Sequence, residues 1–127
     1  GYLPHNNHSQ RNKYKGKPFL WVQDYFKAGR ELGLSDNFIK NLITKDAVES
    51  KYGSANQAAY NFGNITKGRW KGPTHKGNDR DKNNNLIHPE FRVYKNMKEY
   101  IQDITKLVKN LYGVKEDDDI VTFAQKL

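Results

Sequence analysis

The sequence predicts a single α+β domain in which several helices accompany a short, irregular β-hairpin. Its 127 residues are enough for one hydrophobic core and too few for two. Apolar residues recur at helical spacing in four segments, whereas residues 66–89 are rich in Gly, Asn, Lys and Asp and contain few apolar side chains. The first pattern predicts helices, and the second predicts the hairpin.

Two helices are predicted in the first half of the chain. The first spans residues 18–31, because apolar residues recur there near helical period and Pro18 suits a first turn. The second follows Ser35, a good N-cap, and continues to about residue 52. Gly53 can then adopt the left-handed conformation that closes a helix.

Two further helices are predicted in the second half. Asn96 followed by Glu99 resembles a capping box, and the apolar stripe after it ends at Gly113. The last helix covers residues 119–127, since acidic residues at its start suit the helix dipole. A short helical turn is expected at residues 55–60.

Residues 1–17 are interpreted as a linker or N-terminal arm because they are almost devoid of apolar residues, which leaves residues 18–127 as the folded domain. His5 and His8 lack a further ligand at suitable spacing, so neither a metal nor another cofactor is predicted. The polar start suggests a monomeric module of a larger multidomain protein.

Charge and composition restrict the partners. The net charge is +8, and residues 65–98 alone carry nine basic and three acidic side chains. Such a basic segment attracts nucleic acid, anionic lipid headgroups or anionic cell-wall polymers. The absence of Cys excludes disulfides and thiol nucleophiles. No apolar run is long enough to span a bilayer, and no nucleic-acid-binding motif is present, so neither a membrane nor a nucleic acid is the predicted partner.

Glu49 is the residue of the second predicted helix that periodicity does not explain. At 100° per residue it projects within about 20° of Phe38, on the apolar stripe that should face the core. A Glu buried at a helix end loses hydration, which raises its pKa and keeps it protonated near neutral pH, as a general acid requires. The alternative is a Glu that tilts into solvent or pairs with Lys45 or Lys51.

Several short motifs follow Glu49 in a fixed order. They are Glu49-Ser50-Lys51-Tyr52-Gly53, Tyr60-Asn61-Phe62-Gly63-Asn64-Ile65, Trp70-Lys71-Gly72, and Phe91-Arg92-Val93-Tyr94 with Tyr100 and Asp103 after it. This series resembles the glucosaminidase domains of glycoside hydrolase family 73, whose pattern runs E-S-x-x-G, N-x-F-G-I, W-x-G, F-R-x-Y and a helix with an Asp. Each motif is weak alone, but together, over residues 35–112, they are specific.

The resemblance implies a lysozyme-like fold, in which a mostly helical lobe and a small β-hairpin lobe flank a substrate groove. It also implies a peptidoglycan hydrolase that cleaves the β-1,4 bond between N-acetylglucosamine and N-acetylmuramic acid, with Glu49 as the general acid. The expected partner is the bacterial cell wall. The expected location is extracellular, at the wall or on a phage tail, as for autolysins and phage lysins.

The second catalytic group is less evident. Family members often carry a Glu after a Thr on the hairpin, but residues 74–81 of this sequence contain none. Asp79 is the best candidate by spacing and Asp81 the next, although both flank Arg80 in a polar loop where solvated turn residues are common. If neither acts, the 2-acetamido oxygen of the substrate could assist.

Sugar rings stack on aromatic side chains, and polar amides can bind acetamido groups. The predicted substrate-binding residues are Tyr52, Asn61, Phe62, Trp70, Tyr94 and Tyr112. Trp70 is the preferred platform, because it lies in a polar segment. Packing is favoured for Phe62 and Tyr94, and a capping or turn role is equally open for Asn61. Tyr112 could match a family tyrosine, although the Y-A-T-D segment typical of the family is not evident.

Two other functions remain open at this level. A muramidase or lytic transglycosylase would also use a single acidic catalyst, and the string Asn61-Phe62-Gly63-Asn64-Ile65 departs slightly from N-x-F-G-I. A noncatalytic wall-binding module could use the same basic hairpin.

Overall fold

The computed structural model describes residues 7–127, with side chains from Gln10 onward. His5 and His8, at which no metal site is predicted, therefore lie outside the described side chains. The described chain forms five α-helices and four short strands in the order α1 (Asn7–Tyr14), α2 (Pro18–Glu31), α3 (Asp36–Ser50), β1 (Thr74–Lys76), β2 (Asp79–Arg80), β3 (Leu86–Ile87), β4 (Glu90–Arg92), α4 (Met97–Tyr112) and α5 (Ile120–Lys126).

Helix α1 lies within residues 1–17, which were interpreted as a linker or N-terminal arm; over Asn7–Tyr14 the structure shows a helical arm and not a linker. Tyr14 and Gln10 are both buried. The Gln10 side chain donates to Asn56 Oδ1 at 3.1 Å and accepts from the Tyr60 backbone N–H at 3.0 Å. A buried polar anchor thus ties α1 to the rest of the domain, a role that the low apolar content of the segment conceals.

The predicted helix ends are largely confirmed. The Ser35 hydroxyl accepts from the Phe38 backbone N–H at the start of α3, and the Asn96 side chain accepts from the Glu99 backbone N–H at the start of α4. Gly113 closes α4 in the left-handed conformation. Helix α3 ends slightly earlier than expected, at Ser50.

The strands form one long, irregular hairpin with two paired sections. Strands β1 and β4 pair antiparallel with Thr74 opposite Arg92, and inside them β2 pairs with β3, with Asp79 opposite Ile87. The predicted hairpin is therefore present and extends to Arg92. The helical turn expected at residues 55–60 is wrong, because that segment forms non-helical turns and bends.

The main core lies among the helices. Helix α2 packs against α1, α3 and α4, and α5 packs against α3. The large side chains that these helices bury completely include Trp21, Tyr14, Tyr25, Tyr100, Phe38 and Phe123. A second, smaller cluster of Ala58, Ala59, Phe91 and Val93 joins the hairpin to the preceding turns. The helices and the hairpin therefore meet around the segment that follows α3.

Candidate active site

Glu49 lies in the last turn of α3 and is exposed. The predicted burial is wrong. At 100° per residue Glu49 projects between the buried Phe38 and Leu42, but its side chain is exposed at the end of the helix, as in the alternative of a Glu that tilts into solvent. Its carboxylate accepts a long hydrogen bond of 3.5 Å from the Asn64 amide.

A buried polar cluster lies beneath Glu49; we call Tyr25, Lys45, Asp46 and Tyr100 the Asp46 cluster. Asp46 is fully buried and accepts hydrogen bonds from the hydroxyls of Tyr25 at 2.7 Å and Tyr100 at 2.6 Å. The Lys45 ammonium lies 2.7 Å from its other oxygen. Burial, followed by the nearby Asp46 charge, raises the pKa of Tyr25 and Tyr100 well above the ordinary value. The cluster fixes α3 against α2 and α4.

The Asp46 cluster escaped the sequence analysis, although Asp46 stands four residues after Leu42 on the apolar stripe of α3. A polar residue at such a position is the available signal. Tyrosines distant in sequence supply its partners, and periodicity within one helix does not reveal them.

The chain turns sharply immediately after Glu49. Lys51, Tyr52 and Gly53 all have positive φ angles of 48°, 54° and 82°. A Cβ atom on Gly53 would collide with the Trp21 ring, so glycine is required there. Tyr52 remains 45% exposed, with its ring edge-on to Trp21 at 5.7 Å between centroids. Tyr52, one of the predicted substrate-binding residues, is thus close to Glu49 in the sequence and accessible to solvent.

The loop of residues 61–65 is held by the side chain of Asn61. This buried amide donates to the carbonyls of Ile65 and Arg92, each at 2.9 Å, and accepts from the Ile65 backbone N–H at 2.8 Å. Phe62 is also fully buried and packs edge-on against Tyr100. Both side chains therefore lie inside the protein, Asn61 in a turn-supporting role and Phe62 in packing, which are the alternatives that the sequence offered beside substrate binding.

The F-R-x-Y motif is tied to the Asp of the following helix. The Asp103 carboxylate accepts from the Arg92 guanidinium at 2.8 Å and from the Tyr94 hydroxyl. Burial, then the hydrogen bond to Asp103, raises the pKa of Tyr94 above its ordinary range. Tyr94 is completely buried, in keeping with the packing role that the sequence favoured for it. The motif joins β4 to α4.

A groove of about 400 Å³ opens beside the end of α3. It is lined by α3, the loop 61–65, β4 and α4, and we call it the Lys45 groove after its residue on α3; its lining includes Lys45, Gly63, Thr66, Arg92, Leu107 and Tyr112. Tyr112 is 48% exposed within it. Glu49 does not itself line the groove. It lies one helical turn beyond the lining residue Lys45, and its partner Asn64 follows the lining residue Gly63, so Glu49 lies beside the groove.

Trp70 lies in a different depression. Its half-buried ring packs against Tyr94 at 5.1 Å between centroids and lies under the Arg92 guanidinium, and its indole N–H donates to the Pro73 carbonyl. The depression has a volume of about 390 Å³ and is mostly apolar, with Lys95 at its rim. Trp70 is thus separated from the Lys45 groove by Arg92.

The two candidate second carboxylates lie on the β2–β3 hairpin. Asp79 is exposed, and its carboxylate accepts from the Arg80 backbone N–H at 2.7 Å. Asp81 accepts from the backbone N–H groups of Asn83 and Asn85, and such hydrogen bonds, with that from Asn85 largest, lower the pKa of its carboxyl. Asp81 is therefore committed to the turn, and Asp79 is the more available carboxylate.

Neither a metal site nor a membrane-spanning helix is found within residues 7–127, the part of the chain that the structure describes. Among their described side chains, no three His, Cys, Asp or Glu residues cluster as a metal site would require. None of their helices combines the length and apolar character needed to cross a bilayer.

These features together define a class: an α+β domain with a carboxylate at the end of a central helix, beside a groove that a small hairpin region flanks. This is the lysozyme-like arrangement of glucosaminidase domains. By sequence, no family model and no curated protein matches the chain. The similarity lies in structure.

Solved structures of peptidoglycan hydrolases share the fold. A peptidoglycan hydrolase from Sphingomonas sp. A1 is 25% identical over 81% of this chain and 68% of that chain, with a TM-score of 0.62. A mutant of a peptidoglycan hydrolase from the same organism is 26% identical over 81% and 70%, with a TM-score of 0.63. The glycoside hydrolase domain of FlgJ from Salmonella typhimurium is 18% identical over 92% and 74%, with a TM-score of 0.59, and that likeness concerns the fold alone. The predicted lysozyme-like fold and the resemblance to glucosaminidase domains are confirmed.

Proposed function

We propose that this chain is a peptidoglycan hydrolase that cleaves the β-1,4 bond between N-acetylglucosamine and N-acetylmuramic acid, with Glu49 as the general acid. The observation that carries the proposal is the position of Glu49, exposed at the end of α3 and beside the Lys45 groove. The structural similarity to peptidoglycan hydrolases supports the substrate class. The endo-β-N-acetylglucosaminidase specificity comes from the motif resemblance.

The chemistry requires a proton at the scissile oxygen. A glycosidic bond breaks through an oxocarbenium-like transition state, and the leaving oxygen must be protonated as the bond lengthens. Glu49 can donate that proton, because its carboxyl is open to the groove edge and forms no ion pair within 4.0 Å in the described chain. The bound polysaccharide would exclude water from the carboxyl and favour its protonated form.

For the second group, we favour Asp79 as the base that activates water. The Gln57 side chain supports this assignment, because it holds the backbone of Asn78, the residue before Asp79, through two hydrogen bonds of 2.9 and 2.7 Å. The Gln57 backbone also contacts Asn64, the partner of Glu49. If Asp79 does not act, participation of the substrate 2-acetamido oxygen is the remaining route.

The proposed sugar contacts are Tyr112 in the Lys45 groove, Tyr52 after Glu49, and Trp70 as a more distant platform. The Lys and Arg residues of the hairpin would attract the anionic wall. We further propose that the domain works as a monomeric module of a multidomain protein outside the cell, at the wall or on a phage tail.

The test replaces Glu49 by Gln, which is nearly isosteric but has no acidic proton to donate. We expect wall hydrolysis to fall to about 1% or less, because a general acid contributes about 10²- to 10⁴-fold in rate. Glu31→Gln is the matched control, since Glu31 ends α2 and adjoins none of the groove residues. Both variants should keep the parent circular dichroism. Turbidity loss by Glu49→Gln at more than half the parent rate would refute the proposal.

A further inference from the structure

The side chain of Asn64 faces Glu49. Its Nδ2 group donates to Glu49 Oε1 at 3.5 Å, and Asn64 is half-buried. Hydrogen bonds to catalytic groups are often long without substrate and tighten in the Michaelis complex. The length of the hydrogen bond between Asn64 and Glu49 is therefore compatible with a role of Asn64 in the site.

The orientation of the Asn64 amide follows from a second contact. The Gln57 backbone N–H points at Asn64 Oδ1 at a distance of 3.4 Å. A backbone N–H is always a donor, so the oxygen of the amide must face Gln57. The NH₂ group is consequently the end that faces Glu49.

The backbone around Asn64 is fixed in advance of any substrate. Asn64 has a φ angle of 48°, in the left-handed region that Asn tolerates better than most residues. Its backbone N–H donates to the Asn61 carbonyl at 3.3 Å, and the buried Asn61 amide holds Ile65 on the other side. A side chain on so restrained a loop can hold a carboxylate in one orientation.

Few charges compete for Glu49 in the described chain. The nearest cations in sequence are Lys45, which pairs with Asp46, and Lys51, which follows α3 in the left-handed bend and forms no ion pair with Glu49 within 4.0 Å. The facing loop of residues 61–65 and the contacting Gln57 contain no charged group. The neutral Asn64 amide is therefore the hydrogen-bond donor that the facing loop directs at this carboxylate.

We propose that Asn64 is a positioning residue that engages Glu49 Oε1 and leaves Oε2 as the oxygen that carries and delivers the proton. The proposal rests on the proposed role of Glu49. Asn64 stands where the string Asn-Phe-Gly-Asn-Ile departs from the family pattern N-x-F-G-I. The contact between the Asn64 amide and Glu49 is therefore a feature of this chain and not of the family pattern.

The primary test is Asn64→Gly, because glycine keeps the left-handed backbone and removes only the amide. Asn84→Gly is the control, since Asn84 also has a positive φ of 64° but lies in the turn between β2 and β3. For Asn64→Gly we expect kcat to fall about tenfold with KM within about twofold, as befits a hydrogen bond to a charged group. An N–H donor favours the ionised carboxylate, so the alkaline limb of the kcat/KM profile should also move to higher pH.

A second variant, Asn64→Asp, keeps the shape of the side chain and replaces the donor by an anion. It should shift the alkaline limb further in the same direction, whereas a merely structural role would leave the profile unchanged. Parent-like kcat and pH profiles in both Asn64 variants, with Glu49→Gln inactive, would overturn the role of Asn64 alone. An active Glu49→Gln would instead overturn the proposed function.

Discussion

The end of α3 carries Glu49 and the β2–β3 hairpin carries Asp79, the two carboxylates proposed for catalysis, and the two regions hold them in contrasting ways. Glu49 stands on a helix whose inner face is anchored by the fully buried Asp46 and Ser50. Asp79 stands on a two-residue strand, and every residue of β2 and β3 is exposed. A group that must meet a fixed bond benefits from a rigid support, and the end of α3 offers one.

The hairpin depends on a few specific contacts rather than on a core of its own. Gln57 binds both backbone polar groups of Asn78, and Gly77 lies so close to Gln57 and Phe91 that a Cβ atom would collide with both. These contacts position the start of β2 while leaving its carboxylates in water. The contrast predicts that the same substitution will cost more stability at the end of α3 than in the β2–β3 hairpin.

The largest expected effect on stability is that of Asp46→Ala. It would leave the Tyr25 and Tyr100 hydroxyls and the Lys45 ammonium without their partner, at a cost of about 3 to 5 kcal/mol in the free energy of unfolding. Asp79→Ala, the same change in the hairpin, should stay within about 0.5 kcal/mol of the parent. Urea unfolding monitored by circular dichroism measures both. Similar losses in the free energy of unfolding for Asp46→Ala and Asp79→Ala would contradict the difference in support between α3 and the hairpin.

The next prediction concerns activity in the hairpin. Asp79→Asn should lower wall hydrolysis on the order of 10²-fold if Asp79 activates water, whereas Asp81→Asn should change it little. Proton NMR of the fresh reducing end reports the stereochemistry. Near-parent activity of Asp79→Asn together with a retained β anomer would remove Asp79 from the mechanism.

Trp70→Ala separates binding from packing at the base of the hairpin. The ring is half-buried against Tyr94 and Arg92, so we expect a loss of about 2 kcal/mol in folding, below the range for a fully buried tryptophan. Affinity for wall fragments, measured on the folded protein, should fall as well. Unchanged affinity would assign Trp70 to packing alone.

The last prediction concerns the response of stability to alkaline pH. The pKa of Tyr25 and Tyr100 is raised in the folded state, so the unfolded chain loses those protons first. Stability should be intact below about pH 10 and then fall by about 1.4 kcal/mol per pH unit for each tyrosine. Tyr25→Phe should remove one such contribution from the slope, whereas Tyr112→Phe, at an exposed position, should not. An equal slope in all three proteins would contradict the role of the Asp46 cluster.

Local signals predicted the helices α2 to α5 and the hairpin, because caps such as Ser35 and Asn96 and the apolar period act within a few residues. They failed for α1, whose anchor Gln10 binds partners more than forty residues away. The motifs located the candidate site, but they did not show which of its residues are buried: Tyr52 and Tyr112 are exposed, whereas Asn61 is a buried support. Such divisions depend on tertiary contacts, which a single sequence does not display.

The most direct measurement of the central claim is mass spectrometry of the fragments that this domain releases from purified cell walls. A glucosaminidase leaves N-acetylglucosamine at the new reducing end, and we predict that product for the parent protein and its loss for Glu49→Gln. A reducing-end N-acetylmuramic acid would indicate a muramidase, and an anhydro sugar would indicate a lytic transglycosylase. Either product, or the absence of any released fragment, would contradict the account.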